Sequence, residues 1–216
     1  MTYKKLPTKR LFYGRWPYKV ETNVIGAYYL RNFPNLPVEK IQILCKDRSF
    51  SADNLSKLKL LLDHVAITDN IQARVEGNHA NFFTNSLEEV EKICNLLKST
   101  VRRVYMPTSD DELTLLNSSK RILIVDHYPY KKYTHKIYLK GDTPHEARQR
   151  IGNWVATFTT DEVKLSNHHW CNTYGWRVAY VYFKNEKTAS MLSLMAGNYI
   201  SKVEKYVLRS SINTES

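Results

Sequence analysis

Cysteine is scarce and scattered. Cys45, Cys94 and Cys171 are odd in number, far apart and never in C-x-x-C spacing, so neither a disulfide framework nor a thiolate zinc site is expected, and a reducing compartment, the cytoplasm, is the simpler reading. Only seven glycines occur in 216 residues, with no Gly-rich phosphate loop and no serine nucleophile elbow. No apolar run approaches the ~20 residues of a membrane-spanning helix, so no membrane partner is expected. The lysine- and arginine-bearing N-terminus likewise lacks the apolar core of a signal peptide. Acidic residues are few, 21 against 32 Lys plus Arg, giving a formal net charge of +11. That balance disfavours a cationic partner and is shared by nucleic-acid binders, membrane-surface binders and binders of acidic proteins.

Core material, by contrast, is ample: 43% of residues are hydrophobic and 25% charged, enough for one large domain or two small ones. The positive charge is uneven. Residues 1–40 carry eight basic and two acidic side chains, 41–100 seven and eight, 101–150 ten and six, and 151–216 seven and five. The surplus therefore sits in the N-terminal segment and the middle of the chain. Plentiful Asn, Lys and Tyr beside few Gly and Ala is the usage of an A/T-rich genome, compatible with a viral or phage origin.

One order of signals occurs twice. From Lys40 it reads strand Ile41–Cys45, helix near Ala52–Val65, strands near Ile71–Glu76 and Ala80–Thr84, helix Leu87–Lys98 and strand Val101–Met106. From Lys136 it reads strand Ile137–Lys140, helix Pro144–Ala156, strands near Glu162–Ser166 and Val178–Phe183, helix Glu186–Ala196 and strand Ile200–Leu208. Thr143-Pro-His-Glu146 and Ser86-Leu-Glu-Glu89 have capping-box spacing. Leu55, Leu58, Leu61, Leu62 and Val65 recur at helical spacing, as do Val90, Ile93 and Leu97, and then Met191, Leu194 and Met195, so each stripe is expected to lie on a sheet. Phe183-Lys-Asn185 matches Phe83-Thr-Asn85, and Ile200-x-x-Val203 matches Val101-x-x-Val104.

Two β-α-β-β-α-β orders predict an α+β protein of two tandem ferredoxin-like units with antiparallel sheets. The expected division is a basic aromatic N-terminal extension at 1–39, unit 1 at 40–107, a linker at 108–135, unit 2 at 136–208 and a tail at 209–216. The linker holds a short helix, Asp110–Leu116, and a strand, Arg121–Val125, that could join either sheet. A single larger α+β domain is the alternative. Trp16-Pro-Tyr-Lys19 is echoed by Tyr128-Pro-Tyr-Lys131; if the echo marks the start of each unit, the first contains an insertion between Val20 and Lys40.

Helices cover one face of such a sheet and leave the other open. Strand alternation places Ala179, Val181 and Phe183 in the core and Trp176, Val178, Tyr180 and Tyr182 on the open side. Ile137-Tyr-Leu-Lys-Gly141 fits the first-strand pattern of an RNA-recognition motif, and residues 176–183 fit the last five positions of its third-strand octamer, so the second unit resembles that family. Trp176-Arg177-Val178 departs from the family's basic-Gly-aromatic opening, and Val178 replaces one of its three stacking rings. The resemblance implies that Tyr138 and Tyr180 stack on bases. Tyr182 and Trp176 share their surface, and Lys136, Lys140, Arg177, Lys131 and Lys132 lie near enough to meet phosphates. Gln42 and Asn81 are the expected counterparts in unit 1, which makes its sheet poor at stacking.

The expected function is thus non-enzymatic binding of single-stranded RNA or DNA, with no cofactor, no metal and no catalytic residue. A rival expectation buries the same face in an interface, as in a structural or accessory assembly protein, a virion or phage component, that self-associates or docks a protein partner. A further likeness carries a third. His168-His169-Trp-Cys171 with Tyr199-Ile-Ser-Lys202 resembles the paired histidines and Tyr-x-x-Lys of rolling-circle replication nucleases, which implies metal-assisted attack of Tyr199 on a DNA phosphate. Adjacent histidines point apart, however, and Tyr199 follows Gly197-Asn198 at a strand start, outside a helix. His169 and Cys171 alone make no zinc site. His64, His127, His135 and His145 are expected to be solvated, and Asp110-Asp111-Glu112 to serve a helix dipole.

Overall fold

The computed structural model describes residues 3–45, 50–166 and 179–212. Its fold is α+β: two tandem ferredoxin-like units, each with one five-stranded sheet, divided between Lys120 and Arg121.

In unit 1 the founding strand is not 41–45. Tyr18-Lys-Val-Glu-Thr-Asn23 alternates buried and half-buried side chains over its whole length, the signature of a strand with one face on a core. With β1 (Lys4–Pro7) ahead of it, this strand is β2. Next come α1 (Ala27–Asn32), α2 (Val38–Cys45), α3 (Ala52–Ala66), β3 (Ile71–Glu76), β4 (His79–Thr84), α4 (Leu87–Leu96), β5 (Val101–Met106) and α5 (Asp110–Ser118). The sheet order is β1-β5-β2-β4-β3. Its last four strands have ferredoxin-like order, and β1 adds a parallel edge to β5.

Residues expected in an extension ahead of the repeat are therefore strands of the first sheet. The expected strand Ile41–Cys45 is helical and belongs to α2, which begins just before Lys40 and runs past it, while α1 lies within the expected insertion between Val20 and Lys40. A short apolar run does not by its period distinguish strand from helix. Here Pro37 decides: its carbonyl accepts from the N–H groups of Lys40 and Ile41, and Ile41 alone of α2 is buried. The core lies between sheet and helices, with Val20, Phe82 and Val104 against Leu55, Leu58, Leu61 and Ile93.

Unit 2 repeats the plan with β6 (Ile122–Val125), β7 (His135–Leu139), α6 (His145–Val155), β8 (Val163–Leu165), β9 (Tyr180–Phe183), α7 (Glu186–Ala196), β10 (Ile200–Leu208) and a terminal turn α8 (Arg209–Ile212). The order is β6-β10-β7-β9-β8, with β6 parallel to β10, so the strand from the expected linker joins the second sheet. Ile137, Val181 and Phe183 meet Ile151, Val155 and Leu192 in the core.

Two helix details differ from expectation. Ser86 and Ser109 accept from the N–H groups of Glu89 and Glu112 as N-caps should, and the Glu112 carboxylate in turn accepts from Thr108 N–H. Thr143 instead turns its hydroxyl back to the Lys140 carbonyl, because Pro144 is extended and the helix starts one residue later. On α7 the sheet side is Thr188, Ala189, Leu192 and Ala196. Met191, Leu194 and Met195 face solvent, Leu194 being 88% exposed; small residues on the opposite face bring the helix onto the sheet.

Candidate nucleic-acid interface

Antiparallel register places Tyr138 of β7 directly across from Tyr180 of β9, and Lys136 across from Tyr182. On the other side of β7, Lys202 and Glu204 of β10 face Tyr138 and Lys136, and beyond β9 Lys164 of β8 faces Tyr182. Directly paired residues point to the same side, here away from the helices. Tyr138, Tyr180, Tyr182 and Lys136 are all half-buried.

The rings form a row: Tyr138 to Tyr180 is 5.9 Å between centroids, Tyr180 to Tyr182 5.4 Å, and Tyr182 to Tyr130 5.4 Å. Tyr133 lies 5.6 Å from Tyr182, its ring nearly parallel at 23°. The Lys136 ammonium sits 3.8, 4.4 and 5.2 Å from the ring centres of Tyr180, Tyr138 and Tyr182, within cation–π range. Burial among these rings lowers its pKa below the ordinary lysine value, opposed by the carboxylate of Glu204 and reinforced by Lys202. Glu204 is 4% exposed and is held by the Tyr138 hydroxyl, which donates to it at 2.9 Å, and by Lys202 at 2.6 Å. Burial, then the neighbouring phenols and Glu204, push the Tyr182 hydroxyl up to about 12, and burial beside Glu204 raises Tyr206 as well. These hydroxyls are protonated at neutral pH and add no charge to the face.

Of the other residues expected here, Lys131 and Lys140 are exposed at the two ends of the β7 approach. Lys132 lies 5.3 Å from the ring centre of Tyr133 and pairs with Asp161. Trp176 and Arg177 lie outside the described residues, as do His168, His169 and Cys171. Tyr199 closes a 3-10 turn, Gly197–Tyr199, and Lys202 reaches Glu204 from β10. His135 is not solvated: it is 6% exposed on the helix side of β7, because a five-residue strand with Ile137 and Leu139 inward carries it inward too. Among the described residues no three His, Cys, Asp or Glu side chains converge as a metal site, and no helix is long and apolar enough to cross a membrane.

Lys164, Glu204 and Tyr130 belong to this surface but escape a reading of single strands. Lys164 and Glu204 become visible only when neighbouring ladders are aligned, and Tyr130 lies in the Tyr-Pro-Tyr-Lys echo, which by itself suggests only the start of a unit. That echo is not positional: Pro17-Tyr18-Lys19 enters β2, whereas Pro129-Tyr130-Lys131 is a 3-10 turn. The true counterparts are Tyr13-Gly14-Arg15-Trp16 and Tyr130-Lys131-Lys132-Tyr133. Tyr13 and Tyr130 both have φ 53°, Gly14 has φ 67° and Lys131 φ 64°. Trp16 and Tyr133 are each buried, under the cations of Arg15 and Lys132.

Compared with models of known protein families and with curated protein sequences, the chain matches none.

Proposed function

We propose that the protein binds single-stranded nucleic acid, RNA or DNA, on the open face of the second sheet. The observation that supports this is the cross-strand pair Tyr138 and Tyr180, half-buried and bordered by Lys136, Lys164 and Lys202. Magnitudes favour ligand over self-contact. A base stacked on an aromatic ring contributes about 1–3 kcal/mol, whereas the contact of Lys136 with the rings contributes about 0.5–2 kcal/mol. Two stacked bases outweigh the displaced ammonium, which then meets a phosphate. Glu204 opposes phosphate, and its bonds to Tyr138 and Lys202 mute that opposition. Lys140 and Lys131, exposed at the rim, extend the cationic border.

The test is titration of labelled single-stranded RNA and DNA at two salt concentrations. Binding is expected to weaken as salt rises, and Tyr138→Ala with Tyr180→Ala to cost more than about tenfold under conditions where circular dichroism shows the variant folded. No binding at low salt removes the reading, and an unchanged affinity in the double variant moves the ligand elsewhere.

A second reading, an assembly or accessory role, is favoured by the exposed stripe Met191, Leu194 and Met195 on α7, since such patches on soluble proteins mark contacts. Light scattering separates the two: a stable oligomer dispersed by Leu194→Glu supports assembly.

A further inference from the structure

Unit 2 has a cleft of about 750 Å3 between the Pro129–Lys131 turn, the end of α6 and β8, within the size range of small-ligand sites. Tyr130, Tyr133 and Phe158 give it aromatic walls, Val163 and Leu165 add apolar surface, and Lys132 and Lys164 are its charged groups. The Lys164 ammonium lies 3.7 Å from the centre of the Tyr130 ring; Lys132 is shared with Asp161. A neutral apolar ligand would strip water from the Lys164 ammonium and return nothing, and a cation would be repelled by it. The chemistry that fits is a flat π-system carrying negative charge. The cleft is also not isolated: Tyr130 is the last ring of the row running from Tyr138 through Tyr180 and Tyr182.

We infer that this cleft is a nucleotide pocket at the end of the tyrosine row, taking one base against Tyr130 and Phe158 with its phosphate on Lys164. The inference rests on the nucleic-acid reading of the open face and extends it from a flat platform to a platform with a terminal socket. A strand crossing the sheet would stack on Tyr138 and Tyr180 and turn its final nucleotide over the β8 edge. Such a socket would make affinity depend on a strand end, which a flat platform does not.

The experiment titrates the full chain with a nucleoside 5′-monophosphate to millimolar concentration and follows the methyl NMR signals of Val155, Val163 and Leu165. These signals are expected to shift with the nucleotide and not with inorganic phosphate. Ala156→Trp, which fills the cleft from an exposed position, is expected to abolish the shift. Lys164→Ala is expected to weaken it roughly tenfold, the scale of one charge-assisted contact. Methyl signals unmoved by the nucleotide, or moved equally in folded Ala156→Trp, overturn the pocket. Loss of oligonucleotide binding to the face is read separately: if long strands fail at low salt while the methyl shifts persist, the face reading falls and the pocket stands.

Discussion

The two sheets place a lysine at the same point of the ladder and surround it differently. Phe83 and Tyr182 stand three residues ahead of the helix N-caps Ser86 and Asn185. Lys19 pairs with Phe83 and Tyr105, and Lys136 with Tyr182 and Glu204. One step along, Glu21 lies between Asn81 and Arg103, where Tyr138 lies between Tyr180 and Lys202. Carboxylate and tyrosine have exchanged strands. In unit 1 the carboxylate of the central strand takes Lys19 at 2.5 Å and Arg103 at 3.5 Å, and the rings gather at one end, where Phe12 and Tyr13 cover Phe83 until it is 4% exposed. In unit 2 the carboxylate moves to β10, the rings occupy both central strands, and they stay half-open. One scaffold thus yields a sealed aromatic cluster in one copy and an accessible row in the other, by exchanging carboxylate and tyrosine between two strands and by placing Tyr180 where unit 1 has Asn81.

The sharpest way to break this correspondence is to remove its buried anchor. Trp16, 2% exposed, donates its indole N–H to Gln72, and Tyr133, 0% exposed, donates its hydroxyl to the Thr160 carbonyl. Trp16→Ala is expected to destabilise unit 1 by about 3–5 kcal/mol, and Tyr133→Ala to destabilise unit 2 at the lower end of that range. Amide hydrogen exchange in urea follows each sheet separately. If Tyr133→Ala leaves protection of β7 and β9 unchanged, the two anchors are not equivalent in energy.

A smaller effect probes the left-handed turn ahead of each anchor. Gly14 and Lys131 share a positive φ, a conformation that costs an L-residue about 1–2 kcal/mol and glycine little. Lys131→Gly is therefore expected to raise the urea midpoint of unit 2 by about 1 kcal/mol equivalent, the gain reduced by glycine's added chain entropy. Gly14→Ala is expected to lower that of unit 1 by at least as much, since its Cβ would also meet the Lys120 side chain at 3.3 Å. Changes of the same sign in both variants would show that backbone conformation does not govern these turns.

Much of the scaffold was legible because it is written in local chemistry. Ser86 caps α4, Asn185 caps α7, and β5 and β10 open on the β-branched Val101 and Ile200 after helix ends, so these bounds needed no tertiary knowledge. Alternation put Tyr180 on the open face, and the first-strand likeness of Ile137–Gly141 put Tyr138 beside it. Apart from α2 and the start of α6, which Pro37 and Pro144 decide locally, the failures share a cause: they depend on partners distant in sequence. Matching Phe83-Thr-Asn85 with Phe183-Lys-Asn185 is off by one, and in a strand one residue exchanges the faces; Phe83 in fact corresponds to Tyr182 on the open side. Gln42 was the wrong counterpart of Tyr138, because α2 took its segment out of the sheet and Glu21 stands there. Trp16 and Tyr133 hid from comparison because indole and phenol fill the same hole with different shapes. Hydrophobicity favours Met191, Leu194 and Met195 as the core stripe of α7, whereas the sheet takes the face with the smaller side chains, Thr188, Ala189, Leu192 and Ala196.

The smallest expected effect separates the units by pH. The position occupied by Tyr18 in unit 1 is His135 in unit 2, each on the helix side of its central strand and each largely buried. Burial lowers the His135 pKa below its ordinary 6.5; Glu186 opposes the shift and Lys205 adds to it. A base whose folded pKa is depressed binds protons more readily when unfolded. Its contribution to stability is complete above 6.5 and is lost as pH falls from there through the folded value. Tyr18, whose pKa burial raises, is neutral throughout that range. Mild acid is therefore expected to lower the urea midpoint of unit 2 through His135 while that residue's counterpart leaves unit 1 unaffected. His135→Tyr, which installs the side chain of the other copy, is expected to flatten the difference in pH slope between the two sheets. If the slope of unit 2 is unchanged in that variant, its acid sensitivity arises from Lys205–Glu186 and the other carboxylate pairs, and the exchange of tyrosine for histidine is electrostatically silent.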